Sequence, residues 1–439
     1  MSGALLQLAL PGTGNRHFVT DAGASPFLYK WQKTTNFALE TIKQEFSITP
    51  AFGKRTSVVI GRLGDLLAGL ALEVTLTSKD NAYPKCVASY HPVEALVKEV
   101  SYSIGGTVIE RHTSDFFRVF DTFLRDPCKS AVYRSMTNFD APTINSGTQS
   151  TETLVLPLMF TFCRHMGCAL PLISLRDCEV RVDFEFATAD EVGVMPDNFS
   201  ATLYADYIYL DTAERRLLSQ GAVDYLVEQV QYNLTTLPDE VPSDLAPTTV
   251  DIPLKLFRPV KCMYWMLKNS TPPSPTRTHH GRYVGDAAHH YVAYQPNPFD
   301  MSGFGLLEVI PERLAPLMAA TLLINGQARF TERSATYFQK LQPYNHLPKT
   351  VFPGMYSYSF ALRPAELQPT GGCNFSAIEA ASLRLKIKRN TGEDVESDVF
   401  AGSNAMTVAR NIRELRTVLV IAINYNVLRV ELGRASLLM

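Results

Sequence analysis

The segment Val180-Arg181-Val182-Asp183-Phe184-Glu185-Phe186 alternates apolar and charged residues at every step. A period of two puts all its apolar side chains on one face of an extended strand, and no helical winding gathers them. The same alternation returns at residues 72–77, 383–388 and 428–432. Half-buried antiparallel strands, each with one wet face, account for all four. Between them the 27 Pro and 25 Gly are spread through the chain instead of pooled in one linker, as in a β-sandwich with many loops. With 439 residues, and roughly 100–200 residues to a domain, such a chain holds two or three full-sized cores.

Helical signals are few. Residues 113–124 begin with Thr113, Ser114 and Asp115 and then carry Phe116, Phe117, Val119, Phe120 and Phe123 at helical spacing. Residues 211–218 offer Asp211 as an N-cap with Glu214 behind it, after the strand-like 203–210 and just before the midpoint. That position suits a hinge between two halves.

An internal repeat supports two halves. Ser103-Ile104-Gly105-Gly106-Thr107 precedes Glu110-Arg111 and Ser114-Asp115-Phe116-Phe117, while Leu323-Ile324-Asn325-Gly326-Gln327 precedes Glu332-Arg333 and Ser334-Ala335-Thr336-Tyr337-Phe338. Each reads as strand, two-residue turn, strand and short helix. Gly-Gly and Asn-Gly are the residues a tight hairpin needs, because its central positions take positive φ. Gly106 and Gly326 lie 220 positions apart, half the chain, and the alternating strand at Val180 has its echo at Leu383. The repeat implies two copies of one sandwich of about 200 residues each.

Charge and composition exclude several functions. The 41 basic residues balance 43 acidic ones, for a formal charge of -2, so the surplus of Lys and Arg that phosphate binding draws on is missing and no sequence-specific nucleic-acid binding is expected. Seven cysteines form no dense even framework, and reduced thiols in a cytosolic setting are the default. Met1-Ser2-Gly3-Ala4-Leu5-Leu6 lacks a basic region ahead of its apolar stretch, so no signal peptide is expected. The longest apolar run, Val418-Leu419-Val420-Ile421-Ala422-Ile423, is far short of the roughly 20 residues of a membrane helix, which leaves only peripheral membrane contact.

Several motifs taken in order are similar to those of the double jelly-roll major capsid proteins of nucleocytoplasmic large DNA viruses, the iridovirus, phycodnavirus and marseillevirus group. In the first half these are Thr34-Thr35-Asn36-Phe37-Ala38, Arg62-Leu63-Gly64-Asp65-Leu66, Ile104-Gly105-Gly106, Leu156-Pro157-Leu158 with Phe160, Leu170-Pro171-Leu172, and Tyr204 to Asp211 with Glu214-Arg215-Arg216. The second half adds Arg258-Pro259-Val260-Lys261 with Trp265, Ile324-Asn325-Gly326, Gln342-Pro343-Tyr344, Tyr356 to Pro364, and Cys373-Asn374-Phe375-Ser376. The chain departs from the family at Ala377, where an Arg is usual, at Arg258, where a His is usual, and in its C-terminal ending.

The resemblance implies an all-β fold of two tandem eight-stranded jelly rolls with short helices in loops. Its layout would be an N-terminal arm at 1–25, a first jelly roll at 26–212, a linker at 213–224 and a second jelly roll at 225–439. It implies a structural protein: a homotrimer of pseudo-hexagonal outline, tiling an icosahedral shell beside neighbouring capsomers, minor capsid proteins and a penton protein. The base of that shell would lie near an internal viral membrane, the loop at 270–299 would face outward, and assembly would take place in the host cytoplasm. A divergent or minor capsid paralogue, a carbohydrate-binding attachment protein and a cupin-like metalloenzyme stand as alternatives.

No catalytic constellation is found, and no cofactor or metal is expected. His279-His280 and His289-His290 sit in a polar stretch, but adjacent residues on a strand point to opposite faces, so neither pair chelates as the cupin His-x-His does. Cys163, Cys168 and Cys178 follow no zinc-finger spacing. Of the four Asn-x-Ser/Thr sequons, at Asn198, Asn233, Asn269 and Asn374, Asn269 is the candidate for glycosylation because it leads into the long polar loop.

Overall fold

In a computed structural model the described residues are 3–9, 25, 27, 29, 31, 33–78, 92–137, 150–188, 198–237, 247–269, 317–348, 354–387 and 415–438. Met1–Phe37 is a compact unit of its own, whose described part includes the helix Gly3–Ala9. Ala38–Met439 is the other unit.

The first eight strands are β1 (Phe37–Gln44), β2 (Arg55–Val59), β3 (Leu66–Ser78), β4 (Val97–Ile104), β5 (Thr107–Thr113), β6 (Ser150–Pro157), β7 (Val180–Phe186) and β8 (Asn198–Leu210). They form two four-stranded sheets, ordered β1-β8-β3-β6 and β2-β7-β4-β5. After the helix Thr212–Gln220, capped by the Asp211 carboxylate on the Thr212 amide, come β9 (Val223–Thr236), β10 (Thr248–Pro253), β11 (Pro259–Asn269), β12 (Leu317–Ile324), β13 (Gln327–Ala328) and β14 (Arg333–Ser334). The chain continues through β15 (Met355–Ser359), β16 (Cys373–Asn374), β17 (Ala381–Ile387), β18 (Leu415–Glu431) and β19 (Arg434–Leu437).

The second set repeats the first. Its sheets run β9-β18-β11-β15 and β10-β17-β12-β13, with β14, β16 and β19 as short additions. Counted from the start of each set, the strand orders 1-8-3-6 and 2-7-4-5 recur, the order of a jelly roll. The repeated hairpin lies where the sequence indicates, joining β4 to β5 and β12 to β13. Its central residues all have positive φ: Gly105 56°, Gly106 83°, Asn325 49° and Gly326 78°.

The alternating segments become strands with one buried face, except that 428–432 ends its strand at Glu431: Leu432 turns to φ 50° in the hairpin that follows and is 88% exposed. In β7, Val180, Val182, Phe184 and Phe186 are buried and the charged residues between them are not; in β17, Leu383, Leu385 and Ile387 are buried likewise. Opposite sheets close on these faces. Ile252, Leu383 and Leu385 meet Met263, Trp265 and Val420 in the second core, while Val58, Val182 and Phe184 share a core with Leu72, Val74 and Leu203 in the first.

Two strands differ from the one-wet-face expectation. Cys262 to Leu267 of β11 and Val418 to Ile423 of β18 are each at most 5% exposed, with no wet position among them. Met263, Trp265, Val418, Val420 and Ala422 belong to the core of the second jelly roll. Their alternating neighbours Cys262, Tyr264, Met266, Leu419, Ile421 and Ile423 belong to the cluster that contains the core of the first. This sheet is covered on both faces, which is why its strands read as unbroken apolar runs.

The two hairpins allow a matched test. A Cβ at Gly326 meets nothing within 4 Å, whereas one at Gly105 lies 3.0 Å from Cys178 Sγ. Gly326→Ala therefore costs only the left-handed backbone, about 1 kcal/mol, and Gly105→Ala costs more; equal losses in urea unfolding would refute this reading.

Candidate functional site

The covered face of the β9-β18-β11 sheet is where the two jelly rolls meet. The Phe123 ring, from the π-turn Phe120–Leu124 behind β5, stacks on Tyr264 of β11 at 4.8 Å. The Gln229 side-chain amide of β9 donates to the Ile109 carbonyl of β5 at 2.6 Å. The Tyr232 hydroxyl accepts from the Thr113 amide at 3.1 Å and donates to the Arg111 carbonyl at 3.2 Å. Strand β5 thus lies along β9, with its Ile109, Arg111 and Thr113 backbone groups satisfied by the side chains of Gln229 and Tyr232 in the other jelly roll.

Within this apolar joint sits a cluster of charge. Glu228 of β9 is fully buried. One of its carboxylate oxygens accepts from Arg164 Nη1 at 2.7 Å, and the other accepts from Lys261 Nζ, itself 1% exposed. Arg164 ends the helix Thr161–Arg164 of the first jelly roll, and Lys261 lies at the bulge of β11. Thr161 Oγ1 accepts from the Glu228 amide at 3.0 Å. The Thr161 amide in turn donates to both oxygens of Glu110, at 3.1 Å each, and the Tyr102 hydroxyl donates to Glu110 at 3.2 Å. His112 is buried between the rings of Phe116 and Phe160, at 4.4 and 4.9 Å, with Nε2 3.6 Å from Glu110.

Burial dominates the electrostatics. Desolvation pushes the Glu110 carboxyl up to about 7, although Arg164 and the Thr161 donors favour its charge. Burial, with Arg164 nearby, holds the His112 imidazole neutral well below its usual range. Desolvation opposes the charge on Arg164, but Glu228 and Glu110 more than offset it and raise its pKa. Two acids and two bases face each other away from water, so removing one partner of such a pair costs about 3–5 kcal/mol. Glu228 and Lys261 are at most 1% exposed and Arg164 only 12%. The cluster ties side chains of the first jelly roll to side chains of the second inside their joint.

Several of these segments carry sequence motifs that give no sign of this role. Lys261 closes the Arg258-Pro259-Val260-Lys261 motif, Glu110 follows the repeated hairpin, and Phe160 follows Leu156-Pro157-Leu158. Arg258, at the family's usual His, takes φ 66°, with its amide held by Ser376 Oγ at 2.8 Å and its guanidinium on Gln229 of β9. No motif or spacing in the sequence marks Arg164, Glu228 or His112 for this role.

The other candidates lie apart. Asn269 ends β11, its backbone opposite Leu415; the loop beyond it, with His279, His280, His289 and His290, is outside the described residues. Asn233 is 9% exposed and donates to the Pro253 carbonyl, and the Asn374 side chain caps the turn Phe375–Ala377. Cys163 lies in the helix Thr161–Arg164, Cys168 ends the turn Met166–Cys168, and Cys178 lies under the Gly105 hairpin. Among the described residues no three His, Cys, Asp or Glu side chains are grouped to hold a metal.

The cluster gives a signature in pH. Glu110, with a folded pKa near 7 against about 4.3 unfolded, contributes stability that is fully present below about pH 4.3 and is lost as pH rises to about 7. His112 acts oppositely: its contribution is present above its unfolded pKa of about 6.5 and is lost on acidification. Glu110→Gln removes the first and keeps the second, so the variant loses stability more steeply than its parent from pH 7 to 5. Urea midpoints at the two pH values measure this, and parallel losses would refute it.

Comparison with known proteins agrees with this architecture. Residues 214–436 match the family described as large eukaryotic DNA virus major capsid protein, and residues 25–225 match major capsid protein N-terminus. The major capsid protein of Paramecium bursaria Chlorella virus 1 is 33% identical, over 100% of this chain and 99% of its own length. A quasi-atomic model of the capsid of that virus holds a chain with TM-score 0.76 and 29% identity, covering 94% of this chain and 100% of that one. The Faustovirus major capsid protein, 11% identical, shares the fold with TM-score 0.65 over 96% of this chain and 94% of its own. The chain belongs to the major capsid protein family of the large eukaryotic DNA viruses.

Proposed function

We propose that this major capsid protein assembles as a homotrimer in which three chains, each with two jelly rolls, form a ring of six similar sandwiches with a hexagonal outline. The observation that carries this reading is the repeated strand order in two sandwiches locked side by side by a buried joint. A chain built so is a two-part tile, and a head-to-tail contact between tiles closes into a ring when the rotation it imposes divides the full turn. In this reading residues 1–25 are an arm, 26–212 and 225–439 the two jelly rolls and 213–224 their linker. The task is assembly, with no catalysis, metal or cofactor.

The trimers would pack against neighbouring trimers, a penton protein and minor capsid proteins in the virion shell, after assembly in the host cytoplasm, with an internal membrane beneath. The loop at 270–299 would face outward. Asn269, at the end of β11, would carry sugar at the foot of that loop; peptide mass spectrometry of virion protein is expected to find it modified, and a wholly unmodified Asn269 peptide would remove the assignment.

Light scattering of the purified protein tests the trimer. The expected mass is three times the 48.8 kDa of the chain, with hexagonal particles in negative stain from the same peak. A monodisperse monomer would overturn the claim that this chain forms the capsomer alone.

A further inference from the structure

The strand that completes the joint comes late in the chain. β18 lies between β9 and β11 and pairs with both, along Val260 to Asn269 on one side and Val223 to Thr236 on the other. Among the described residues, every backbone pairing of β9 is with β18. Yet β9 carries Glu228, Gln229 and Tyr232, whose side chains reach Arg164, Ile109 and Thr113 of the first jelly roll. β18 itself places Leu419, Ile421, Ile423, Leu428 and Val430 in the cluster that contains the first core. The eight strands of the first jelly roll, by contrast, are all in the chain by Leu210, and β18 begins only at Leu415.

A second contact lies just past β18. Leu432 and Gly433, at φ 50° and 81°, turn the chain into β19, which pairs back on residues 428–431. The Gly433 carbonyl accepts from the Asp177 amide of the first jelly roll at 3.0 Å, and a Cβ at Gly433 would lie 2.8 Å from the Asp177 carboxylate. The segment that meets the turn is fixed from its own side, because the Arg62 guanidinium donates to the Arg176 and Cys178 carbonyls at 2.6 and 2.8 Å. Ala435 and Leu437 of β19 pack against the same cluster as Leu428 and Val430. The β18-β19 hairpin thus belongs to the second jelly roll by its ladder and touches the first along one face.

We infer that the β18-β19 hairpin is a clasp that closes the joint last: the first jelly roll folds on its own strands, and β9 seats on it only when β18 pairs with β9 and the Gly433 turn reaches Asp177. Without β18, β9 would carry Glu228 and unpaired backbone groups onto an apolar face, and burying polar groups without partners is unfavourable. Domains of a long chain fold as units, the earlier one first during synthesis. The face around Phe123 therefore waits open until β18 and β19 are made. A chain that stops short of β18 keeps a folded first jelly roll and an open joint, and does not become a two-part tile. The clasp in this way checks that a chain extends through β19 before it meets another copy.

Pulse-labelling hydrogen exchange during refolding of the full chain tests the inference. Two amides report on the joint from the first jelly roll, because their acceptors lie in the second: Thr113 on the Tyr232 hydroxyl and Asp177 on the Gly433 carbonyl. Both are expected to gain protection together with β9 and β18, after β3, β7 and β8. Protection of Thr113 and Asp177 in step with β7, of β9 ahead of β18, or of all these amides in one phase overturns the inference. A matched pair of variants gives a second reading at equilibrium. Gly433→Val is expected to lower the protection of both amides about tenfold more than Gly326→Val, whose turn has the same handedness and nothing within 4 Å of the new Cβ. Equal losses in the two variants overturn the clasp as well.

Discussion

Everything in this chain turns on one sheet that is dry on both faces. Each sheet of a sandwich needs only one covered face, and a protein of two independent sandwiches would show four sheets, each wet outside. Here β11 and β18 bury alternate side chains in two different cores. At about 25 cal/mol for each Å² of apolar surface removed from water, side chains the size of Tyr264, Met266, Ile421 and Ile423 dominate the joint. The apolar effect has no direction, however, and lets flat surfaces slide.

The charged cluster supplies direction. Glu228 is placed by β9, Arg164 by a short helix of the first jelly roll and Lys261 by a bulge in β11, so the pairing is made in one arrangement of the two domains. A slip of one residue along β9 would strand a carboxylate among apolar side chains. Such pairs add little net stability compared with apolar residues of similar size. Their use here is to make every other docking costly, as a shell built of repeated copies requires of its tile.

The two jelly rolls were legible in the sequence because their signals are local. Alternation in Val180–Phe186 fixes a strand and its buried face without reference to anything distant, and Gly105-Gly106 and Asn325-Gly326 mark hairpins through φ alone. The joint was not legible, for physical reasons. Val418 to Ile423 reads only as an apolar run, since no period tells a strand with two cores from any other buried segment. Glu228 occupies a position in β9 that looks wet, because what dries it is Arg164, 64 residues earlier, and Lys261, 33 residues later. His112 reads as a polar residue of an edge strand until Phe116 and Phe160 close over it.

Native-state hydrogen exchange across the joint bears most directly on the claim that the two jelly rolls are one mechanical body. The account predicts that the amides of β5, in the first jelly roll, and of β9, β11 and β18, in the second, exchange through a common opening, with the same free energy and the same dependence on denaturant. Exchange of β4 and β5 at markedly lower denaturant, while β11 and β18 stay protected, would show two domains that open independently and would contradict it.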